Sequence, residues 1–398
     1  MSAPSAAQGP LSFLLDGARV SLAASSEPPH RTLLQWPRAT GRTASKEGCA
    51  EGDCGACTVL LLDRDGQGNP TWRAINACIA LLATMHEREI VTAAGLGLLA
   101  GEKVEGFAES LHPVQQAMIR RYGSQCGYCT PGFVCSMAEG YYREDLSASS
   151  NEERILDQLN GNLCRCTGYR AIRDAMSDAL AAKATKDLTR DLLQITKKKA
   201  LPAASSFAFE TSEGAFLRPS NLEELLAAKA KDPEAELVCG ATEIGVYANK
   251  KQQRWKTLIA VDTIPELLAI SATEQAWRIG ASVSLTSVEE ALAGEYPLLD
   301  AMFAVFASRP IRSRASLAGN LVTASPIGDM APCLLALDAT LHLASKERGA
   351  REVAIASFFT GYRATVLAKD EVVVAIEIPR RVTASCTREQ SSVKGSKR

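Results

Sequence analysis

Twelve cysteines, eight of them gathered in two groups before residue 170, constrain this 398-residue chain more than any other feature. The first group is Cys49, Cys54, Cys57 and Cys78; the second is Cys126, Cys129, Cys164 and Cys166. In a short secreted protein such clustering would mean a disulfide framework. This chain is long enough for two or three domains with cores of their own. Its opening MSAPSAAQGP lacks the basic and apolar blocks of a signal peptide. Gathered thiols in such a chain point to metal or cluster ligation, and the expected location is the cytoplasm.

The first group reads C-x4-C-x2-C with a fourth cysteine twenty residues on, the plant-type ferredoxin spacing for a [2Fe–2S] cluster. Gly48, Gly52 and Gly55 lie among these thiols and let the backbone wrap tightly. A tight wrap aims N–H groups at sulfur, which helps set a cluster's potential. The competing reading is a four-cysteine zinc site, which favours paired short knuckles over three ligands on one glycine-rich loop. The second group joins a C-x2-C to a C-x-C, within QCGYCTPGFVCS and GNLCRCTGYR. Zinc stays open here too. Helix starts at Thr130 and Thr167 would point positive ends at the site, which suits an anionic cluster. Cys135, Cys239, Cys333 and Cys386 read as packed thiols.

Around these groups the pattern is α+β and multidomain. LSFLLDGARVSL at 11–22 predicts a hairpin turning at Asp16-Gly17. TVLLL after Cys57 predicts a buried strand, INACIALLATMHE a helix and REIVTA a further strand. From about 112 the pattern is helical. HPVQQAMIRRYG gives the first helix and Thr130-Pro131 opens the next. Ser150 with Glu153 predicts a capping box before RILDQL, and Thr167 a cap for GYRAIRDAMSDAL. The stretch 183–214, with Lys197, Lys198 and Lys199, reads as a solvated linker. Beyond it, AELVCG, TLIAVD, WRIGASVSL and EVVVAIEI alternate with helical NLEELLAAKA and VEEALAG.

Charge narrows the function classes. A formal net charge of −1 supplies no field for nucleic acid or an anionic membrane. The longest apolar runs, such as IALLATM, are too short to cross a bilayer. His30, His86, His112 and His342 are scattered, so no acid–base or nucleophilic arrangement is visible, and no catalytic residue is assigned. In the C-terminal half, LVCGATEIG and SLAGNLVTASPIGD set glycine and small polar residues between strand-like runs, where successive N–H groups can nest an anion such as a pyrophosphate. The formal dinucleotide-type match GLGLLA at 95–100 has no following βαβ unit and reads as a connecting turn.

KEGCAEGDCGACTVLL, QCGYCTPGFVCS and GNLCRCTGYR together resemble the molybdenum hydroxylase family. The resemblance runs over roughly residues 11–380 and implies three domains: a plant-type [2Fe–2S] ferredoxin domain of β-grasp fold at 11–95, a four-helix [2Fe–2S]-binding domain at 96–182 and, after the 183–214 linker, an FAD-binding domain at 215–398. The last would be of the vanillyl-alcohol-oxidase/PCMH type, without its C-terminal subdomain. By position, Cys126, Cys129, Cys164 and Cys166 would hold the cluster nearer molybdenum, and Gln125 would hydrogen-bond the pterin. Leu237, Val238, Cys239, Gly240, Ala241, Thr242, Glu243 and Ile244 would wrap the FAD diphosphate and ribityl chain. Ser316, Leu317, Ala318, Gly319 and Asn320 would form a second phosphate-side turn. Asp329 would bond polar flavin groups, and Phe306 and Val373 would pack beside the cofactor.

The resemblance further implies an electron-transfer subunit with two [2Fe–2S] clusters and FAD. Its partner would be a molybdopterin-binding large subunit in a heterotetramer, with NAD+ as acceptor, and the expected substrate of the complex is xanthine. Alternatives are an aldehyde, another N-heterocycle, or a truncated cluster-binding protein without flavin turnover. Two stretches depart from the family. WPRATGRTAS at 36–45 carries Pro37 where a helix is usual, and the polar tail from Val382 ends in VKGSKR, where Lys394 echoes a flavin-side lysine.

Overall fold

The computed structural model describes residues 9–23, 26–99, 111–147, 149–184 and 191–380; Val382, Cys386 and Lys394 lie outside them. Strands β1 (Leu11–Leu15), β2 (Ala18–Leu22), β3 (Thr58–Arg64), β4 (Pro70–Asn76) and β5 (Glu89–Val91) form one sheet in the order β2-β1-β5-β3-β4. Only β1 and β5 run parallel, which is the β-grasp arrangement. The hairpin turns where expected: Leu15 pairs with Ala18, and Asp16 and Gly17 both adopt left-handed φ, 52° and 79°.

TVLLL is buried without alternation because both faces of this sheet are covered. Val59 and Leu61 join one core and Leu60 and Leu62 another, as successive side chains on a strand must. Helices α1 (Gln35–Ala39), α2 (Ala93–Leu99), α3 (Pro113–Arg120), α4 (Thr130–Tyr142), α5 (Glu152–Leu159), α6 (Arg170–Lys183) and α7 (Leu192–Lys197) follow in chain order. Leu60, Leu62 and Trp72 share their core with Phe133, Met137, Ile155 and Ile172 of α4, α5 and α6. The helical domain therefore sits on one face of the ferredoxin sheet.

The other face meets the third domain. Strands β6 (Phe207–Thr211), β7 (Gly214–Arg218), β8 (Glu236–Val238) and β9 (Thr257–Ala260) form a sheet ordered β6-β7-β9-β8, in which β7, β9 and β8 are parallel. Helices α8 (Leu222–Lys231) and α9 (Ile244–Lys250) make the crossovers. Phe207, Phe216, Val238 and Leu258 pack with Phe13, Val59 and Leu61. Beyond lie α10 (Pro265–Leu268), β10 (Ile270–Ala272), β11 (Ala276–Gly280), α11 (Leu285–Ala291), α12 (Pro297–Phe303), α13 (Arg309–Arg312), α14 (Leu317–Val322) and α15 (Met330–Ala336). They are followed by β12 (Thr340–Ser345), β13 (Gly349–Ala354), β14 (Phe359–Gly361), β15 (Ala364–Thr365) and β16 (Val372–Pro379). An antiparallel sheet, β10-β11-β16-β12-β13, carries the main core of this domain. Among the described residues no helix is long and apolar enough to cross a membrane.

Local expectations fail where tertiary contacts take over the backbone. INACIALLATMHE is not a helix: Asn76 closes β4, and only Leu82–Met85 makes a single 3₁₀ turn. Its groups instead bond residues 31–34, with Leu33 N–H to Ala80 O at 2.8 Å, Leu34 N–H to Ala77 O at 2.9 Å and Leu82 N–H to Arg31 O at 2.8 Å. GLGLLA is not a turn but lies mostly within α2, whose start is fixed by Asp16 accepting from Thr92 N–H at 2.7 Å and Thr92 Oγ1 at 2.9 Å. Pro37 sits inside α1, in its first turn, where a missing N–H is harmless. Thr130 leaves α4 uncapped and bonds Ser124. The cap of α5 is Asn151 rather than Ser150. Helix α6 starts at Arg170, after a left-handed Tyr169, so Thr167 does not cap it. Within 183–214, read above as a linker, lie α7 and β6. His112 is structural, capping α3 and meeting Tyr142 Oη at 2.8 Å.

Candidate functional site

The first cysteine group converges. Cys49 Sγ accepts from the N–H of Cys54 at 3.4 Å and of Glu51 at 3.5 Å. It also takes a hydrogen bond from the Cys78 thiol; with those N–H groups this overrides burial and pulls Cys49 down to about 3. Cys78, donating to both Cys49 and Cys57, is pushed up, while Cys57, accepting from Cys78, is pulled down. The glycines do what a tight wrap requires. Gly52 and Gly55 take φ of 91° and 67°, and a Cβ on Gly48 would lie 2.7 Å from Cys54 Sγ. Cys57 and Cys78 are buried, and Cys49 and Cys54 half-buried.

The second group converges as two pairs, Cys126 with Cys166 and Cys129 with Cys164. Cys164 Sγ accepts from Cys166 N–H and Thr167 N–H, both at 3.4 Å, and from Thr167 Oγ1 at 3.2 Å. Burial pushes the Cys164 thiol up, but these donors win and lower it. Cys129, desolvated and bonded to Cys164, is pushed up to about 12. Thr167 thus serves the sulfur instead of a helix. Pairs of thiols are what a two-iron cluster asks for, since each iron takes two of them. Cys126, Cys166 and Gln125 are exposed, with Tyr128, Leu163 and Tyr169 as exposed apolar neighbours in sequence.

The two groups touch. Leu163 N–H donates to Cys54 O at 3.0 Å, and Tyr128, between Cys126 and Cys129, donates through Oη to Glu47 O. Asn162, its amide oriented by its neighbours, donates to Gly55 O and Gly132 O at 3.2 Å each and accepts from Ser136 Oγ at 2.7 Å. Sequence reasoning missed Asn162 and Tyr128, although both lie inside the quoted motifs.

Helix α9, which follows the first of the C-terminal loops, meets the first group. Asn249 of α9 donates to Cys78 O at 2.7 Å and Ala50 O at 2.9 Å. Gly245 packs so closely on Ile79 that a Cβ would lie 2.1 Å from Ile79 O. No sequence signal marked Asn249. In the loop Leu237–Ile244, Ala241 is left-handed at φ 60°, and Gly240 lies against Arg314 O, 1.7 Å from an added Cβ. Arg314 Nη2 donates to Cys239 O at 3.3 Å. The turn Ser316–Asn320 is joined to this loop through Thr323 Oγ1, which donates to Glu243 Oε2 at 2.9 Å. Ser316 accepts from Gly319 N–H at 3.1 Å, and the buried Asn320 Oδ1 has no partner, an acceptor left over for a ligand's hydroxyl or N–H. Gly328 approaches Asn320, which brings the exposed Asp329 near this turn. Phe306 and Val373 pack in the same core as Leu237, Cys239, Leu317 and Ala318; Val373 is buried and Phe306 half-buried. A cavity of about 1250 Å³ lies in an interdomain cleft near Asp63, Arg73 and Glu290, and Cys239 is the one residue of these two loops that lines it.

Residues 19–83 match the 2Fe-2S iron-sulfur cluster binding domain, residues 103–177 the [2Fe-2S] binding domain, and residues 207–381 the FAD binding domain in molybdopterin dehydrogenase. The chain thus carries two [2Fe–2S]-binding domains and one FAD-binding domain, which sets aside the zinc reading of the cysteines. It is 33% identical to the xanthine dehydrogenase/oxidase of Rattus norvegicus over 93% of its own length. It is 31% identical to the xanthine dehydrogenase of Emericella nidulans over 92%. It spans about 30% of the length of these curated relatives. The solved quinoline 2-oxidoreductase of Pseudomonas putida 86 is 28% identical, with a TM-score of 0.40, over 42% of this chain and 58% of that one.

Proposed function

The chain belongs to the molybdenum hydroxylase family, and we propose that it is an electron-transfer subunit, most specifically the small subunit of a xanthine dehydrogenase. In this reading electrons leave a molybdopterin-bearing large subunit and end on NAD+. When bound, the clusters supply one-electron carriage and the flavin the conversion to two-electron transfer.

A single observation carries the proposal: the sites lie in series. Exposed Cys126 and Cys166 lie on the surface, Leu163 N–H joins their loops to Cys54 O, and Asn249 joins Cys78 O to the flavin-loop helix. Each step is a direct hydrogen bond between a cysteine carbonyl and the next segment. The chain's residues orient the thiolates, aim N–H groups at their sulfurs and leave the outer pair open to a partner. Exposed Tyr128, Leu163 and Tyr169 beside that pair are apolar surface of the kind that marks an interface. Gln125, exposed beside Cys126, would face the partner's pterin.

Co-production with the large subunit, followed by iron, sulfide and FAD quantitation and xanthine-dependent NAD+ reduction, tests the reading. Four irons, one flavin and turnover with xanthine are expected of two [2Fe–2S] clusters and one FAD. Turnover only with an aldehyde or another N-heterocycle would move the substrate assignment and keep the relay. Cluster absorbance without releasable flavin would replace the relay by a cluster-binding scaffold.

A further inference from the structure

Charges between the domains form one continuous chain, buried at Glu139, Arg309 and Arg73 and partly exposed at Glu290. Glu139, fully buried on α4, accepts from Arg309 Nε at 2.9 Å. Arg309 Nη2 reaches Glu290 Oε1 at 3.2 Å, and Glu290 takes both arms of Arg73 at 2.6 Å each. Glu139 belongs to the helical domain, Arg73 to the ferredoxin sheet, and Arg309 and Glu290 to the flavin domain. Arg309, 1% exposed, is where all three meet.

Stability is a poor account of such a group, because buried ion pairs gain little over apolar packing and their best-attested benefit is fixing register. The neighbours of Arg309 show what that register would govern. Ser308 fills the space left by Gly161, 2.3 Å from a Cβ built there, three residues before Cys164. Ile311 sits 2.9 Å from a Cβ built on Gly52, in the loop between Cys49 and Cys54. The same segment then runs into Arg314, which backs Gly240 of the flavin loop. Seven consecutive residues, 308–314, therefore touch both cysteine sites and the flavin loop.

We propose that Arg309 is a positioning residue of the electron relay: by holding Glu139 with one arm and Glu290, and so Arg73, with another, it fixes both clusters and the flavin at one set of separations. This rests on the relay reading above. A planar guanidinium can hold two carboxylates in fixed directions at once; a lysine ammonium on a flexible stem cannot.

The test uses the full chain reconstituted with iron, sulfide and FAD, comparing Arg309→Met, Arg309→Lys and Glu139→Gln with the unsubstituted protein. Iron content and each cluster's own paramagnetic signal should be unchanged. The magnetic coupling between the two reduced clusters should weaken. Intramolecular electron transfer between the clusters and the flavin, followed after pulsed one-electron reduction, should slow severalfold. Arg309→Lys should recover the rate only in part. Coupling and rate equal to the unsubstituted protein in Arg309→Met, or full recovery in Arg309→Lys, would overturn the proposal. If Arg309→Met fails to fold, Glu139→Gln decides on the same two readouts, since Arg309 keeps Glu290 and the amide keeps the shape. An unsubstituted chain that takes up no iron would instead sink the relay itself, and that result precedes any variant.

Discussion

Leu163 donates its backbone N–H to the carbonyl of Cys54 at 3.0 Å, so one hydrogen bond separates a cysteine of the first site from the neighbour of Cys164 in the second. The contact is possible because three glycines give way around it. A Cβ on Gly55 would fall 2.2 Å from Gly161 O, and a Cβ on Gly132 would fall 2.1 Å from Gly55 O. Asn162 then ties Gly55 O and Gly132 O together. Two loops far apart in sequence are held backbone to backbone.

Replacing one thiol at each site should separate the sites. Cys57→Ser and Cys166→Ser each remove a soft ligand that iron requires, so each should lower iron and acid-labile sulfide by about half while sparing the other cluster's signal. Cys57 is buried and Cys166 exposed, so the first substitution should lower thermal stability more than the second. Iron unchanged in either variant would remove that cysteine from the ligand set.

Gly132→Ala probes the junction against a known preference. Gly132 lies in the first turn of α4, where alanine would ordinarily favour the helix by up to about 1 kcal/mol. The added methyl would meet Gly55 O, a backbone atom with nowhere to move, and overpacking of this kind costs about 1 to 3 kcal/mol. The net change should therefore be destabilising. Denaturant titration followed by circular dichroism measures it, and a stabilised variant would contradict the close approach.

What could be read from sequence and what could not divides along physical lines. The hairpin at Asp16-Gly17, the buried TVLLL strand and the gathering of the eight cysteines in two groups were legible because turn chemistry, apolar runs and cysteine spacing act locally. INACIALLATMHE was misread because a short, wholly buried apolar run suits strand, turn or helix equally, and its carbonyls and N–H groups were claimed by residues 31–34. Thr130 and Thr167 are plausible caps by residue type, yet one bonds Ser124 and the other a sulfur. Arg309, Asn249 and Asn162 were invisible as tethers because each bonds at least one partner in another domain. The flavin loops carried only weak local signals, and it was resemblance that singled them out.

Acid should reveal the interdomain carboxylates. Burial pushes Glu290 up, but the Arg73 hydrogen bonds and the Arg73 and Arg309 charges outweigh it and hold the group at about 2, against an ordinary 4.5. A folded-state value below the unfolded one means stability that is complete above about 4.5 and is lost as pH falls toward 2. The side chain is 29% exposed, so solvent screening trims the contribution to about 2 kcal/mol. Glu290→Gln should be less stable than the unsubstituted protein by about that amount at neutral pH. The gap should close as the pH is lowered through the range below 4.5. Urea unfolding across that range measures it, and a gap independent of pH would show that the charge of Glu290 is not what the variant loses.

Gly240 and Gly319 give a matched pair for the flavin loops. A Cβ on Gly240 would lie 1.7 Å from Arg314 O, so alanine must displace the Leu237–Ile244 loop whether or not a ligand is present. At Gly319 the nearest atom to an added Cβ is Ser316 Oγ at 3.1 Å, and the position is exposed, so alanine asks only that this hydroxyl give by a few tenths of an ångström. Gly240→Ala should lose both thermal stability and FAD, with iron unchanged. Gly319→Ala should melt like the unsubstituted chain and, where the Ser316–Asn320 turn belongs to the cofactor site as proposed, bind FAD more weakly. Flavin fluorescence released by heat, read against iron content, separates the two. Full FAD retention in Gly319→Ala would take the Ser316–Asn320 turn out of the cofactor site and leave the Leu237–Ile244 loop to carry it.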